Sequence, residues 1–153
     1  GGGGPYAPPG HYIVHLSVAG TTIVQPLLVR RDPRVRASDA DLRAQYALAR
    51  DVDALLARVQ AANSQAIEAR KKPGADVAKI DAIAGKPNQG APGGPGAPAT
   101  TFTTLSWYAG ALADLYGSIE SADAAPTADE RAAWSSVRTK AEAALLAWSA
   151  LAK

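Results

Sequence analysis

The 153-residue chain has no cysteine and no methionine, and phenylalanine occurs once. Without thiols there are no disulfides and no thiolate metal sites, so stability has to come from packing and main-chain bonding. The compartment stays open, because secreted proteins without cysteine exist as well as intracellular ones. A surplus of charge is missing too. The 16 basic and 14 acidic residues leave a formal charge of +2 and are interspersed, which is too weak a field for nucleic acid or an anionic membrane. No apolar run approaches the roughly 18 residues of a membrane span. Alanine is abundant instead, at 35 of 153 residues, so the 47% hydrophobic share overstates the large side chains available. A thin core of helices packed closely over alanine is expected. Gly1 to Gly4 stand where a methionine start would, which reads as a processed or truncated piece of a longer chain.

Near the N-terminus, "HYIVHLSVAGTTIVQPLLV" alternates Tyr12, Val14, Leu16 and Val18 on one face with His11, Ile13, His15 and Ser17 on the other. Ala19-Gly20 supplies a two-residue turn, and this register sets Leu16 opposite Ile23 and Tyr12 opposite Leu27. The second face is less polar than a solvated one should be, since Ile13, Val24 and Leu28 lie there, and Pro26 cannot donate a ladder hydrogen bond. The expectation is that Tyr12, Val14, Leu16, Ile23 and Leu27 meet the helices. Ile13, Val24 and Leu28 would then remain as a surface for self-association or for a partner.

The rest reads as helix. Ser38 and Asp41 form a capping box that starts a helix at about Asp39, with Leu42, Tyr46, Ala49, Val52, Leu56, Val59, Asn63 and Ile67 as one stripe. Arg70, Lys71 and Lys72 suit its C-terminal dipole, and Pro73-Gly74 stop it. A short helix over Ala75 to Ala84 carries Val77, Ile80 and Ile83. Residues 85–99 are rich in glycine and proline and are read as a flexible surface loop. A third helix, capped by Thr103 or Thr100, buries Leu105, Tyr108, Leu112, Leu115 or Tyr116, and Ile119. Thr127 and Glu130 box the start of a fourth helix, which buries Trp134, Val137, Ala141, Leu145, Trp148 and Leu151.

Pro9, Gly10 and Tyr12, then Gln25, Pro26 and Leu27, then Asp32, Pro33 and Arg34, and finally Ser121 to Thr127 mark successive steps of the chain. Together they resemble the C-terminal region of bacterial sortilin-like proteins, which carry BNR-repeat β-propellers and are often described as glycosyl-hydrolase-like or photosystem-II-stability-factor-like. The resemblance implies that the hairpin is the last two strands of an immunoglobulin- or fibronectin-like sandwich. It also implies a secreted or periplasmic parent protein, with any catalytic acids in an upstream propeller and none in these residues.

No reaction is visible in the chain itself. His11 and His15, four residues apart on one strand, are separated by about 13 Å and cannot share a metal. Asp39 and Asp41 suit a helix N-terminus, while Asp51 and Asp53 fall among Arg50 and Arg58 on an exposed face. Arg30, Arg31, Arg34 and Arg36 are the densest basic cluster. With Asp32 inside it and no interleaved aromatics, it reads as pairing with carboxylates and fixing the hairpin's angle to the helices. Trp107, about 100° around its helix from Tyr108, is the candidate for a contact outside the main seam, with the hairpin or with another domain.

The expected architecture is mainly α: residues 1–31 form a β-hairpin, and residues 32–153 form an antiparallel bundle of three long helices and one short one. The expected function is a non-catalytic structural or interaction module, without catalytic, cofactor or metal residues. Its surface would be Ile13, Val24, Leu28, Trp107, Arg31, Arg34 and Arg36, and its partners the upstream domains of the same chain. Two alternatives are an accessory part of a hydrolase or peptidase-like enzyme and a carbohydrate- or peptide-binding module using Tyr6, Tyr12 and Trp107.

Overall fold

The computed structural model describes residues 4–86 and 103–152. Most of the 85–99 connection therefore lies outside the described residues, as do Thr100 and the first three glycines. Two strands, β1 (Gly10–Val18) and β2 (Thr21–Val29), precede four helices, α1 (Asp39–Arg70), α2 (Val77–Ala84), α3 (Leu105–Ile119) and α4 (Ala128–Leu151). The helices run to 32, 8, 15 and 24 residues, so α3 is about half the length of α1.

The strands pair antiparallel in the expected register, with Leu16 opposite Ile23 and Tyr12 opposite Leu27. Both turn residues have positive φ, 48° at Ala19 and 81° at Gly20, which defines a type I′ turn. Its twist matches the strands, but a left-handed alanine costs about 1 kcal/mol. Asparagine tolerates that region better. Ala19→Asn should therefore slow amide exchange at Leu16 and Ile23 about fivefold, and unchanged exchange would mean that the turn carries no strain.

Each helix starts on a side chain that takes up its free N–H groups. Ser38 with Asp41 and Thr127 with Glu130 form full capping boxes. The Thr127 main-chain N–H, followed by the Ser118 hydroxyl, holds the Glu130 carboxyl below its usual range. α3 is capped by Thr104 rather than by Thr103 or Thr100. Several threonines in a row all have capping chemistry, and the one at the extended-to-helical switch takes the role, here with φ −102° and ψ 157°.

Gln45 near the start of α1 donates through Nε2 to the carbonyls of Ile119 (2.6 Å) and Ala122 (2.7 Å) beyond the end of α3, so α1 and α3 run antiparallel. Trp148 Nε1 donates to Gln65 Oε1 at 3.1 Å, which puts the C-terminal halves of α4 and α1 together. At that end Arg70 joins α1 to α2 through Asp81 (2.7 Å) and the Gly85 carbonyl.

The core contains Ala49, Ala62, Ala66, Ala84 and Ala141 among its buried residues, so the helices do approach over alanine. Its seam on α1 differs from the expected stripe. Gln45, Val52, Val59 and Ala66 recur every seven residues, interleaved with Leu48, Leu55 and Ala62, while Ile67 is exposed. A period of 3.5 drifts by about 20° per heptad against a straight 3.6-residue helix. Over 32 residues that moves the buried edge away from Asn63 and Ile67. On α3, Leu105, Tyr108, Leu112, Leu115 and Ile119 are buried, as their spacing predicts.

Candidate interaction surface

The hairpin is the most unusual surface of the molecule. Among the described residues neither strand packs against a helix. On one face Val14, Leu16, Val18, Ile23 and Leu27 are exposed, and on the other Ile13, Val24 and Leu28, from 45% at Leu28 to 67% at Ile13. The expectation that the first face meets the bundle is thus corrected. Alternation shows which face is apolar, and it says nothing about what lies over it. From Gly10 to Val29 there is no Asp, Glu, Lys or Arg, so no charge guards either face or edge.

Only the base of the hairpin is fixed. The Tyr12 hydroxyl donates to the Pro8 carbonyl at 2.5 Å, and the Tyr6 N–H donates to Glu120 Oε2 at 3.2 Å. A small cleft of about 140 Å³ separates Pro9 and Val29 from Leu42, Tyr46 and Glu120. The basic cluster sits at this joint. Arg31 donates to the Ala37 carbonyl at 2.6 Å and lies 3.8 Å from Asp39, which ties the end of β2 to the start of α1. Arg34 forks onto Asp32 at 2.6 Å, and its guanidinium, then its main-chain N–H, holds the Asp32 carboxyl below the ordinary range. Such exposed pairs contribute only about 0–1 kcal/mol. Arg36 is exposed and forms no ion pair among the described residues.

Of the expected surface residues, Ile13, Val24 and Leu28 come together on one face, since Ile13 lies opposite Pro26 between the other two. Arg31 and Arg34 gather at the joint. Trp107 does not join them. It stands near the start of α3, about 18 Å along the helix axis from Ile119 at the hairpin end, so it cannot reach the hairpin. There it is half-buried against the core, edge-on to Tyr108 with ring centroids 5.1 Å apart. His11 and His15 lie opposite Leu28 and Val24. Among the described residues no group of three His, Asp or Glu is placed to hold a metal ion, and no helix is long and apolar enough to cross a membrane.

A second feature has no obvious sequence signal. A groove of about 720 Å³ opens at the far end of the bundle, lined by Gln65, Glu68, Ala69, Ile80, Trp148 and Leu151. These residues come from α1, α2 and α4, and only the tertiary arrangement brings them together. Comparison of the chain with models of protein families, with curated proteins and with solved structures gives no match.

Proposed function

We propose that this chain is a non-catalytic structural or interaction module of a larger secreted protein, and that it works through the hairpin. The carrying observation is a 20-residue stretch, Gly10 to Val29, without Asp, Glu, Lys or Arg and with apolar residues exposed on both faces. A lone two-stranded hairpin is marginal in water, and such a surface is expected to be covered in use. In this reading the hairpin contributes two strands to an immunoglobulin- or fibronectin-like sandwich whose other strands belong to upstream residues of the same polypeptide. An upstream BNR-type propeller fits the sortilin-like steps at Pro9-Gly10, Gln25-Pro26-Leu27 and Asp32-Pro33-Arg34.

The test uses the full-length gene product. Leu16→Lys and Val24→Lys should leave the unfolding of the isolated chain within about 0.5 kcal/mol of wild type, as exposed substitutions do. In the full-length protein the substitution on the face turned into the sandwich should cost about 2 kcal/mol or more, because the lysine would then be buried without a partner, while the one on the opposite face stays near neutral. Equal, negligible effects in both contexts, or a gene product with no upstream β-domain, would overturn the reading.

A further inference from the structure

Pro26 decides which side of the hairpin can accept another strand. The type I′ turn closes on a hydrogen-bonded pair, Val18 with Thr21. Along antiparallel strands such pairs alternate with pairs that exchange no main-chain bond. Counting from the turn, Leu16–Ile23, Val14–Gln25 and Tyr12–Leu27 are bonded, while Ser17–Thr22, His15–Val24, Ile13–Pro26 and His11–Leu28 are not. The 2.8 Å hydrogen bond between the Ser17 and Thr22 hydroxyls agrees with the closer side-chain approach of an unbonded pair. Residues of unbonded pairs point their N–H and C=O groups outward. The outer edge of β1 is therefore made by His11, Ile13, His15 and Ser17, and that of β2 by Thr22, Val24, Pro26 and Leu28. Pro26 sacrifices no bond within the hairpin; it deletes a donor from the middle of the outer edge of β2. The β1 edge keeps all its donors.

The geometry points to a second copy of this chain as the occupant of the β1 edge. Laid antiparallel on itself about Val14, β1 places Ile13 opposite His15 and His11 opposite Ser17, so every outward-pointing residue of one copy meets an outward-pointing residue of the other. The intervening positions set Tyr12 opposite Leu16 and Val14 opposite Val14, which continues the apolar face across the junction. No Asp, Glu, Lys or Arg occurs in the strand, so the symmetric pairing sets no like-charged side chains opposite one another. Each chain offers one open edge and one interrupted by proline, which makes the assembly close at two copies instead of growing into a fibre. The joined sheet of four strands has a face of about 30 by 20 Å. That face can still pack against an upstream sheet of the sandwich proposed above, whereas an upstream strand joining the hairpin's own sheet would need the β1 edge and would compete with the second copy.

Sedimentation of the full chain at rising concentration tests this. Wild type should form dimers and nothing larger. Ile13→Pro, which removes one outward donor from β1 without touching the hairpin's own ladder, should weaken dimerisation at least tenfold. Val24→Pro on the outer edge of β2 should leave it unchanged, and Pro26→Val should allow assemblies beyond the dimer. Amide exchange of wild type keeps the test valid even where a proline variant loses the hairpin. Dimerisation should slow His11, Ile13, His15 and Ser17 and leave Thr22, Val24 and Leu28 fast. A wild type that stays monomeric at millimolar concentration, or protection on β2 instead of β1, would overturn the proposal.

Discussion

Replacing Trp148 with alanine should destabilise the bundle by about 3–5 kcal/mol, the range for deleting a buried aromatic and leaving a cavity. The indole is 4% exposed, in a core whose other contacts are largely alanine, valine and leucine. Its Nε1 bond to Gln65 should matter much less. Gln65 is exposed and water can replace the indole as its partner, so Trp148→Phe should lose about 1–1.5 kcal/mol, mostly packing. His15→Ala, on the exposed hairpin, is the control and should be near neutral. Equal urea midpoints for Trp148→Ala and His15→Ala would show that α4 is not seated on α1 as described.

Gly85→Ala is expected to cost about 2–3 kcal/mol. The residue has φ 87° and ψ 155°, a region essentially reserved for glycine, where other residues pay about 1–3 kcal/mol. A Cβ there would also collide with the Ser106 hydroxyl and approach Thr104 Oγ1 at 3.0 Å. The Gly85 carbonyl further accepts from Arg70, whose guanidinium also binds Asp81 with side-chain exposures of only 11% and 18%. Two comparisons separate these causes. Gly74→Ala has a similar φ of 78° but open space around it, and should cost about 1 kcal/mol. Adding Ser106→Ala to Gly85→Ala relieves the collision and should recover part of the loss, leaving the backbone strain. A Gly85→Ala protein as stable as wild type by thermal unfolding would mean that the α2–α3 joint adjusts freely.

Gly85 also shows where the sequence could not be read. In a run of glycines and prolines it looks like the first residue of a linker, and nothing local marks it as a buried joint under the start of α3. The register of the hairpin, by contrast, was legible, because a period of two and a two-residue turn leave one way to align the strands. The α1 seam was half legible. Val52 and Val59 lie on both the expected stripe and the observed one, but Ala62 and Ala66 carry no signal in an alanine-rich helix, and Gln45 hides its structural role behind a polar side chain. Its amide is needed at the seam because it bonds the buried carbonyl of Ile119 at the end of α3, and it reaches the Ala122 carbonyl beyond as well. The exposed faces of the hairpin were legible as apolar, whereas their lack of any helix above them is a property of the tertiary arrangement alone.

That lack of contact between strands and helices has a spectroscopic consequence. Trp107, Trp134 and Trp148 all sit on α3 and α4, and the hairpin has no indole of its own, only Tyr12. Tryptophan emission therefore follows the melting of the bundle and is blind to the strands. A ligand clasped by β1 or β2 would leave that signal, and the bundle's transition temperature, where they were. A screen built on either would score genuine binders as inactive, whereas a fluorophore placed at Thr21 or Thr22 in the turn region would report them.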